Sequence, residues 1–171
     1  RRLFAKALEI DPSFASAYVG LAKARAWAVM YGYTEFPNIV LQEALKAAKK
    51  AIQLDSSNAS AHAELGYIYM RLGEYDVAKR ELQTATDLNP NDWISYRYIG
   101  AVLLYSGDPD AALKWYEQVT KYDPYQSPGV YMNIGIAYYL KGDDDKALEW
   151  LKEEAVRWPN FLGCHILMAW I

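Results

Sequence analysis

The chain is poorly provided with the residues that make disulfides, metal centres and membrane spans. Its 171 residues include one cysteine, Cys164, and two histidines, His62 and His165. A single thiol excludes an internal disulfide framework. There is no run of about 18 apolar residues, so neither a membrane-spanning helix nor a membrane partner is expected. The opening stretch Arg1-Arg2-Leu3-Phe4-Ala5-Lys6 lacks the apolar core and small-residue cleavage site of a signal peptide, and a cytoplasmic location is the expectation. Excess basic charge is missing too. The net charge is −3, whereas direct nucleic-acid binding normally needs a basic face.

Apolar and aromatic residues are what the chain has in quantity. Hydrophobic residues make up 53% of it, with 15 tyrosines and 6 tryptophans. That content is ample for a buried core and excludes disorder as the default. So many rings either fill thin layers between helices or line a binding surface.

Aligning the chain with itself shows a repeat. Punctuating triplets recur as Ile10-Asp11-Pro12, Leu54-Asp55-Ser56, Leu88-Asn89-Pro90, Tyr122-Asp123-Pro124 and Arg157-Trp158-Pro159, spaced by 44, 34, 34 and 35 residues. Two further landmarks keep the same phase. Leu65-Gly66, Ile99-Gly100 and Ile134-Gly135 precede the next triplet, and Gly73-Glu74, Gly107-Asp108 and Gly142-Asp143 mark tight turns. Each unit reads as helix, turn, helix, stop. His62, Leu65, Gly66 and Tyr69 fall at i, i+3, i+4 and i+7, one face of a helix. Gly73 can take the left-handed conformation that ends it. Ala78, Leu82 and Ala85 form the stripe of the second helix, which Asn89-Pro90 stops. Asp108-Pro109 reads as an N-cap followed by proline in the first turn. Gly66, Gly100 and Gly135, with Ala78, Ala112 and Ala147 opposite, should let paired helices approach closely.

These landmarks resemble the tetratricopeptide repeat family. The matches run Tyr96-Ile99-Gly100-Leu103-Ala112-Tyr116-Pro124, Tyr131-Ile134-Gly135-Tyr138-Ala147-Leu151-Pro159 and His62-Leu65-Gly66-Tyr69-Ala78-Leu82-Ala85-Pro90. Val119 and Glu154 replace a late alanine of the pattern, and Ser56 replaces a proline. The resemblance implies an all-α, right-handed superhelical solenoid of antiparallel helix pairs, about three and a half to four repeats over 1–171. Residues 1–12 read as the second helix of a truncated repeat and 13–58 as an elongated one with extra residues around Ala28 to Pro37. Residues 59–92, 93–127 and 128–159 read as repeats, and 160–171 as the first helix of another truncated unit. The last stretch, Phe161 to Ile171, is apolar nearly all round, unlike the polar helix that usually caps such arrays. The chain is therefore expected to be a piece of a longer protein. The Pro128–Gly142 stretch and the elongated early unit are also similar to C-terminal repeat regions of bacterial class III adenylate/guanylate cyclases and winged-helix regulators.

Nothing in the sequence assembles a catalytic set. His62 and His165 occupy the aromatic position of first helices, where packing explains them, and lie too far apart to share a metal. Cys164 and His165 are neighbours on a helix and point about 100° apart. Asp143-Asp144-Asp145 lacks the ligand alternation of a calcium loop and suits a helix start. No GxxxxGK[ST] phosphate loop occurs. No enzyme activity, metal or cofactor is expected.

In the family, first helices line the concave side and peptides lie along it. Carried onto this chain, that stripe comprises Lys23 and Trp27, then Ala63, Tyr67, Met70 and Arg71. It continues through Arg97, Tyr98, Ala101, Leu104 and Tyr105, and ends with Met132, Asn133, Ile136 and Tyr139. Relatives that grip the carboxylate of chaperone tails need polar or cationic groups where Val19, Ala63, Ile94 and Tyr98 stand, so such tails are not expected partners. An aromatic, apolar groove suits a peptide or an amphipathic helix of another protein. The same rings could instead pack between repeats. Two other readings stay open: an arm that self-associates through the 160–171 end, and a ligand-sensing domain of a bacterial signalling or transcription regulator.

Overall fold

The punctuation residues act locally, through short-range hydrogen bonds. Asp11, Asp55 and Asn89 each turn a side-chain oxygen onto the backbone N–H two residues on, at 2.9, 3.1 and 3.2 Å. The chain is thus stopped and reversed before the next helix begins. A second device ties that helix back to the stop. The residue at the aromatic position reaches the backbone carbonyl six residues earlier: His62 to Ser56 at 3.2 Å, His165 to Pro159 at 3.1 Å, and Tyr96 to Pro90. This accounts for both histidines structurally, and His62 also meets Glu81 of the paired helix at 2.8 Å.

These rules generate the architecture seen in a computed structural model, which describes residues 2–122 and 128–171. Among the described residues all regular structure is helical. In order the helices are α1 (Arg2–Ile10), α2 (Ala15–Met30), α3 (Pro37–Leu54), α4 (Ala59–Arg71), α5 (Tyr75–Leu88), α6 (Trp93–Tyr105), α7 (Pro109–Tyr122), α8 (Val130–Leu140), α9 (Asp144–Arg157) and α10 (Leu162–Met168). Arg1 and the Asp123-Pro124 part of one triplet lie outside the described residues. The chain divides into two units, 1–98 and 99–171.

In the first unit α2 pairs with α3 and α4 with α5. Their interfaces are built on small residues: Ala22 and Ala26 with Ala44, Ala48 and Ala51, then Gly66 with Ala78 and Leu82, all buried. A Cβ on Gly66 would stand 2.6 Å from Leu82 Cγ, so only glycine permits that approach. Leu82 is fully buried there, and its burial contributes about 2 kcal/mol. Gly73, at φ +82°, makes the left-handed turn between α4 and α5, letting the Glu74 N–H reach the Tyr69 carbonyl at 2.9 Å. The first pair is longer, 16 and 18 residues against 13 and 14, and its connection is longer too. Phe4 of α1 packs on Gly20 of α2.

In the second unit Tyr116 of α7 fits against Gly100 of α6, and Leu151 of α9 against Gly135 of α8. Asp108 and Asp143 cap α7 and α9 by accepting the N–H of Ala111 at 2.9 Å and of Lys146 at 3.2 Å. The acidic run that opens α9 therefore has a capping role, with Asp143 also paired to Lys146 at 2.8 Å.

Glu154 breaks the alanine pattern for a physical reason. Its carboxylate is buried and accepts a hydrogen bond from the backbone N–H of Gly129 at 2.6 Å, while the nearby N–H groups of Tyr131 and Met132 also favour its charge. Gly129 precedes α8 and has no side chain to cap it. A carboxylate from α9 caps α8 in its place.

Candidate partner-binding face

Within the first unit, α2, α4 and the start of α6 bring several of the expected groove residues together. Lys23 holds its ammonium 5.2 Å above the Trp27 ring and 3.8 Å from the Glu64 carboxylate. Tyr98 donates to the same Glu64 oxygen at 3.3 Å and stacks on Tyr67 with ring centroids 4.6 Å apart. The Arg97 guanidinium lies 5.1 Å from the Tyr98 ring and 5.7 Å from that of Trp93. Tyr67 in turn donates to Met30 Sδ at 3.1 Å. Rings and charges on consecutive first helices thus form one cluster.

Exposure separates the members of that cluster. Tyr67, Met70 and Tyr98 are buried, as is Ala63, and they pack one repeat on the next. Lys23 and Arg97 are half-buried, while Trp27 and Arg71 are exposed. In the second unit Ala101 and Leu104 are buried, whereas Tyr105 and Tyr139 are exposed. Met132, Asn133 and Ile136 are half-buried; Asn133 donates to the Tyr116 hydroxyl at 3.0 Å, and Met132 packs on Gly163 of α10.

Two features have no counterpart in the reading of the sequence. The first is a cavity lined by Ala24, Trp27, Ala28, Tyr31 and Tyr33, at the long α2–α3 connection. Trp27 meets Tyr31 edge-on at 6.4 Å, and Tyr31 and Tyr33 lie 6.1 Å apart. Tyr33 is 80% exposed. The extra residues of the elongated unit mark this spot in the sequence, and the alternation of Ala24 and Ala28 with Trp27 gives its floor and wall. The second is Glu64, only 3% exposed, with Oε2 lacking any hydrogen-bond partner among the described residues. Burial pushes its carboxyl up to about 7, against the pull of Lys23, Tyr98 and Arg97. Its signal in the sequence is a lone acid in a helix otherwise uncharged until Arg71.

An array of helix pairs closed on small residues and punctuated at a recurring spacing is a helical-repeat protein by class. Two matches to the tetratricopeptide repeat family, over residues 41–101 and 99–160, agree with that class. The chain belongs to the tetratricopeptide repeat family, whose members generally act in protein–protein interaction.

Among curated proteins it is similar to anaphase-promoting complex subunit 3 of Schizosaccharomyces pombe. The two are 26% identical over 118 residues, 69% of this chain and 16% of that protein. Among solved structures it is similar to MamA, with a TM-score of 0.62 and 27% identity over 91% of this chain and 85% of that one. A thermophilic tetratricopeptide protein of Thermus thermophilus has the same fold, with a TM-score of 0.77 at 20% identity over 98% of this chain and 86% of that one.

Proposed function

We propose that the chain holds a peptide or helical segment of another protein against the faces of its first helices, as the regulatory arm of a larger protein. The observation that carries this reading is the ring cluster at Trp27, Tyr31 and Tyr33, open to solvent around a cavity and flanked by exposed Met30 and Phe36. Contiguous exposed apolar patches mark interaction sites, and tryptophan, tyrosine and arginine carry most interface energy. The similar yeast protein is itself named as a subunit of a complex, which accords with a scaffold role. The test is affinity capture from the source organism with the wild-type chain and with a Trp27→Ala/Tyr33→Ala double variant. Tyr33 is strongly exposed and Trp27 partly so, with contacts to Lys23 and Tyr31, so the helical circular dichroism should be unchanged and the melting temperature lowered only slightly. The expected result is a captured protein that the variant loses. Identical capture by both chains would remove the cluster from the contact.

A second reading is favoured by a different observation. Leu162, Ile166 and Trp170, on and just after α10, are strongly exposed, Trp170 by 80%. They support self-association through the 160–171 end. Light scattering should then show a mass that rises with concentration and returns to the monomer value in Trp170→Glu. A monomer at every concentration would dismiss this reading.

A further inference from the structure

Lys23 touches two features at once. Its ammonium lies 3.8 Å from the Glu64 carboxylate of α4 and 5.2 Å from the centre of the Trp27 ring, one turn further along α2. Trp27 walls the cavity together with Tyr31 and Tyr33, over Ala24 and Ala28. Glu64 is shut off from solvent, with Oε2 unpartnered among the described residues.

The charges around Glu64 come from α2, from α4 itself and from the start of α6. On α2 Lys23 faces it, whereas Arg25 turns to Glu43 of α3 at 3.0 Å. Arg97 and the Tyr98 hydroxyl favour its ionisation, and Asp92, in the turn before α6, opposes it. On α4, Tyr67 stacks on Tyr98, while His62 is turned to Glu81 of α5 and to the Ser56 carbonyl. Lys23 couples this cluster to the cavity.

An indole face and a nearby anion together can hold an ammonium in place. While Glu64 is ionised both act on Lys23, and the cation stays over Trp27. Once Glu64 is protonated the ion pair is lost. The ammonium ends a flexible stem whose side chain is already 34% exposed, and water then competes successfully for it. The Trp27 face is left free for an apolar group.

We infer that Glu64 and Lys23 form a proton-controlled cover over the Trp27 wall of the cavity, closed while Glu64 is charged and open once it is protonated. The inference rests on the reading of this cavity as a partner-binding site and adds its regulation. Burial raises the Glu64 carboxyl to about 7. Occupancy by an apolar side chain is therefore strongest below that pH and weakens as pH rises through it. By linkage, filling the cavity draws a proton onto Glu64.

The test replaces tryptophan with 5-fluorotryptophan and follows the Trp27 resonance by fluorine NMR, assigned through Trp27→Phe. Between about pH 5 and about pH 8.5 the resonance should titrate with a midpoint near 7. Its shift between light and heavy water, a measure of solvent contact, should be larger at the acid end. Glu64→Gln should fix the open state at every pH, and Lys23→Met should abolish the titration. Glu35→Gln, at an exposed acid two residues beyond Tyr33, should leave it unchanged. Indole, an uncharged probe, should bind the wild type about threefold more tightly at about pH 5.5 than at about pH 8.5, and Lys23→Met equally at both. Circular dichroism confirms that each variant is folded. A Trp27 resonance indifferent to pH, or a titration that survives in Glu64→Gln or Lys23→Met, would overturn the cover. Indole binding that is equal at both pH values in the wild type would overturn it too, and would leave the cavity standing as an apolar site. If indole moves the Trp27 resonance at no pH, the cover and the role of the cavity in partner binding fall together.

Discussion

Glu64 in the first unit and Glu154 in the second are both nearly inaccessible, at 3% and 1% exposure, yet their surroundings differ in kind. Glu154 accepts a hydrogen bond from the backbone N–H of Gly129 at 2.6 Å, and the N–H groups of Tyr131 and Met132 at the start of α8 also favour its charge. Glu64 has one phenolic donor and a lysine 3.8 Å away, and one of its oxygens has no partner among the described residues. Burial raises the carboxyl in both cases. Only at Glu154 do fixed backbone dipoles directly repay the desolvation. A buried acid that caps a helix is a structural part. One left half satisfied beside an aromatic face keeps an unmet hydrogen-bonding demand close to the surface where a partner is proposed to bind.

The largest expected effect is at Glu154. Glu154→Ala should lower the unfolding free energy in urea by about 3–4 kcal/mol, because the Gly129 N–H loses its acceptor and α8 loses its N-terminal cap. Glu154→Gln keeps an acceptor oxygen and should cost about 1 kcal/mol. If Glu154→Ala proves as mild as Glu64→Gln, the contrast between the two residues is lost.

Next comes the pH dependence set by Glu64. Its carboxyl rises from 4.5 to about 7 on folding, so between those values the folded chain holds a proton that the unfolded chain releases. The contribution to stability is therefore greatest below about pH 4.5 and declines as pH rises to 7, by about 3 kcal/mol in all. Glu64→Gln should remove that decline when urea midpoints are compared at pH 5 and pH 8. Asp11, Asp55 and Asp143 act in the opposite sense. Side-chain and backbone hydrogen bonds, from Ser13, Ser57 and Lys146 respectively, hold their carboxyls below the ordinary value. Their stabilisation is lost only as pH falls below about 4. A pH 5 to 8 profile equally steep in Glu64→Gln would show that Glu64 is not the group responsible.

The same contrast shows what the sequence could reveal. Helix pairs, turns and caps were legible because they rest on short-range rules: Asp108 before Pro109, Gly73 in its turn, Gly66 facing Leu82. The stripe of first-helix residues was legible as a stripe, since the helical period places Lys23, Trp27, Tyr67 and Tyr98 on related faces. Its division into buried and exposed members was not. Tyr98 is covered by Tyr67 of the neighbouring helix, and Trp27 is not, because the elongated hairpin leaves Ala24 and Ala28 beneath an open space. Periodicity fixes the direction of a side chain but not how close the next helix stands. Glu154 in an alanine position looked like a lapse in the pattern, since its role depends on an N-terminus elsewhere in the fold.

A smaller effect sharpens the comparison at its charged partner. Lys23→Met removes the nearest cation from Glu64 and should cost about 1–2 kcal/mol at pH 8, where Glu64 is ionised. At pH 5, where the folded chain keeps Glu64 neutral, the cost should nearly vanish. The pH midpoint of the stability profile should move above that of the wild type. Equal loss at both pH values would mean that the lysine acts through its apolar stem on Trp27 and not through its charge.

The smallest expected effect isolates one hydrogen bond. Tyr98→Phe deletes the hydroxyl that reaches Glu64 at 3.3 Å and leaves the ring stacked on Tyr67. Burial and the neighbouring Glu64 push the Tyr98 phenol well above its usual range, so it stays a donor at every accessible pH. The bond it donates is worth most when Glu64 is charged, about 1–2 kcal/mol, and about half that when the acceptor is a neutral carboxyl. The loss on Tyr98→Phe should therefore be larger at pH 8 than at pH 5, and it should disappear in a Glu64→Gln background beyond the value of a neutral bond. A loss independent of both pH and Glu64 would place the hydroxyl outside the network. Lys23 and Arg97 would then be the supports left to the buried carboxylate, and the contrast with Glu154, which has a fixed backbone donor, would be sharper.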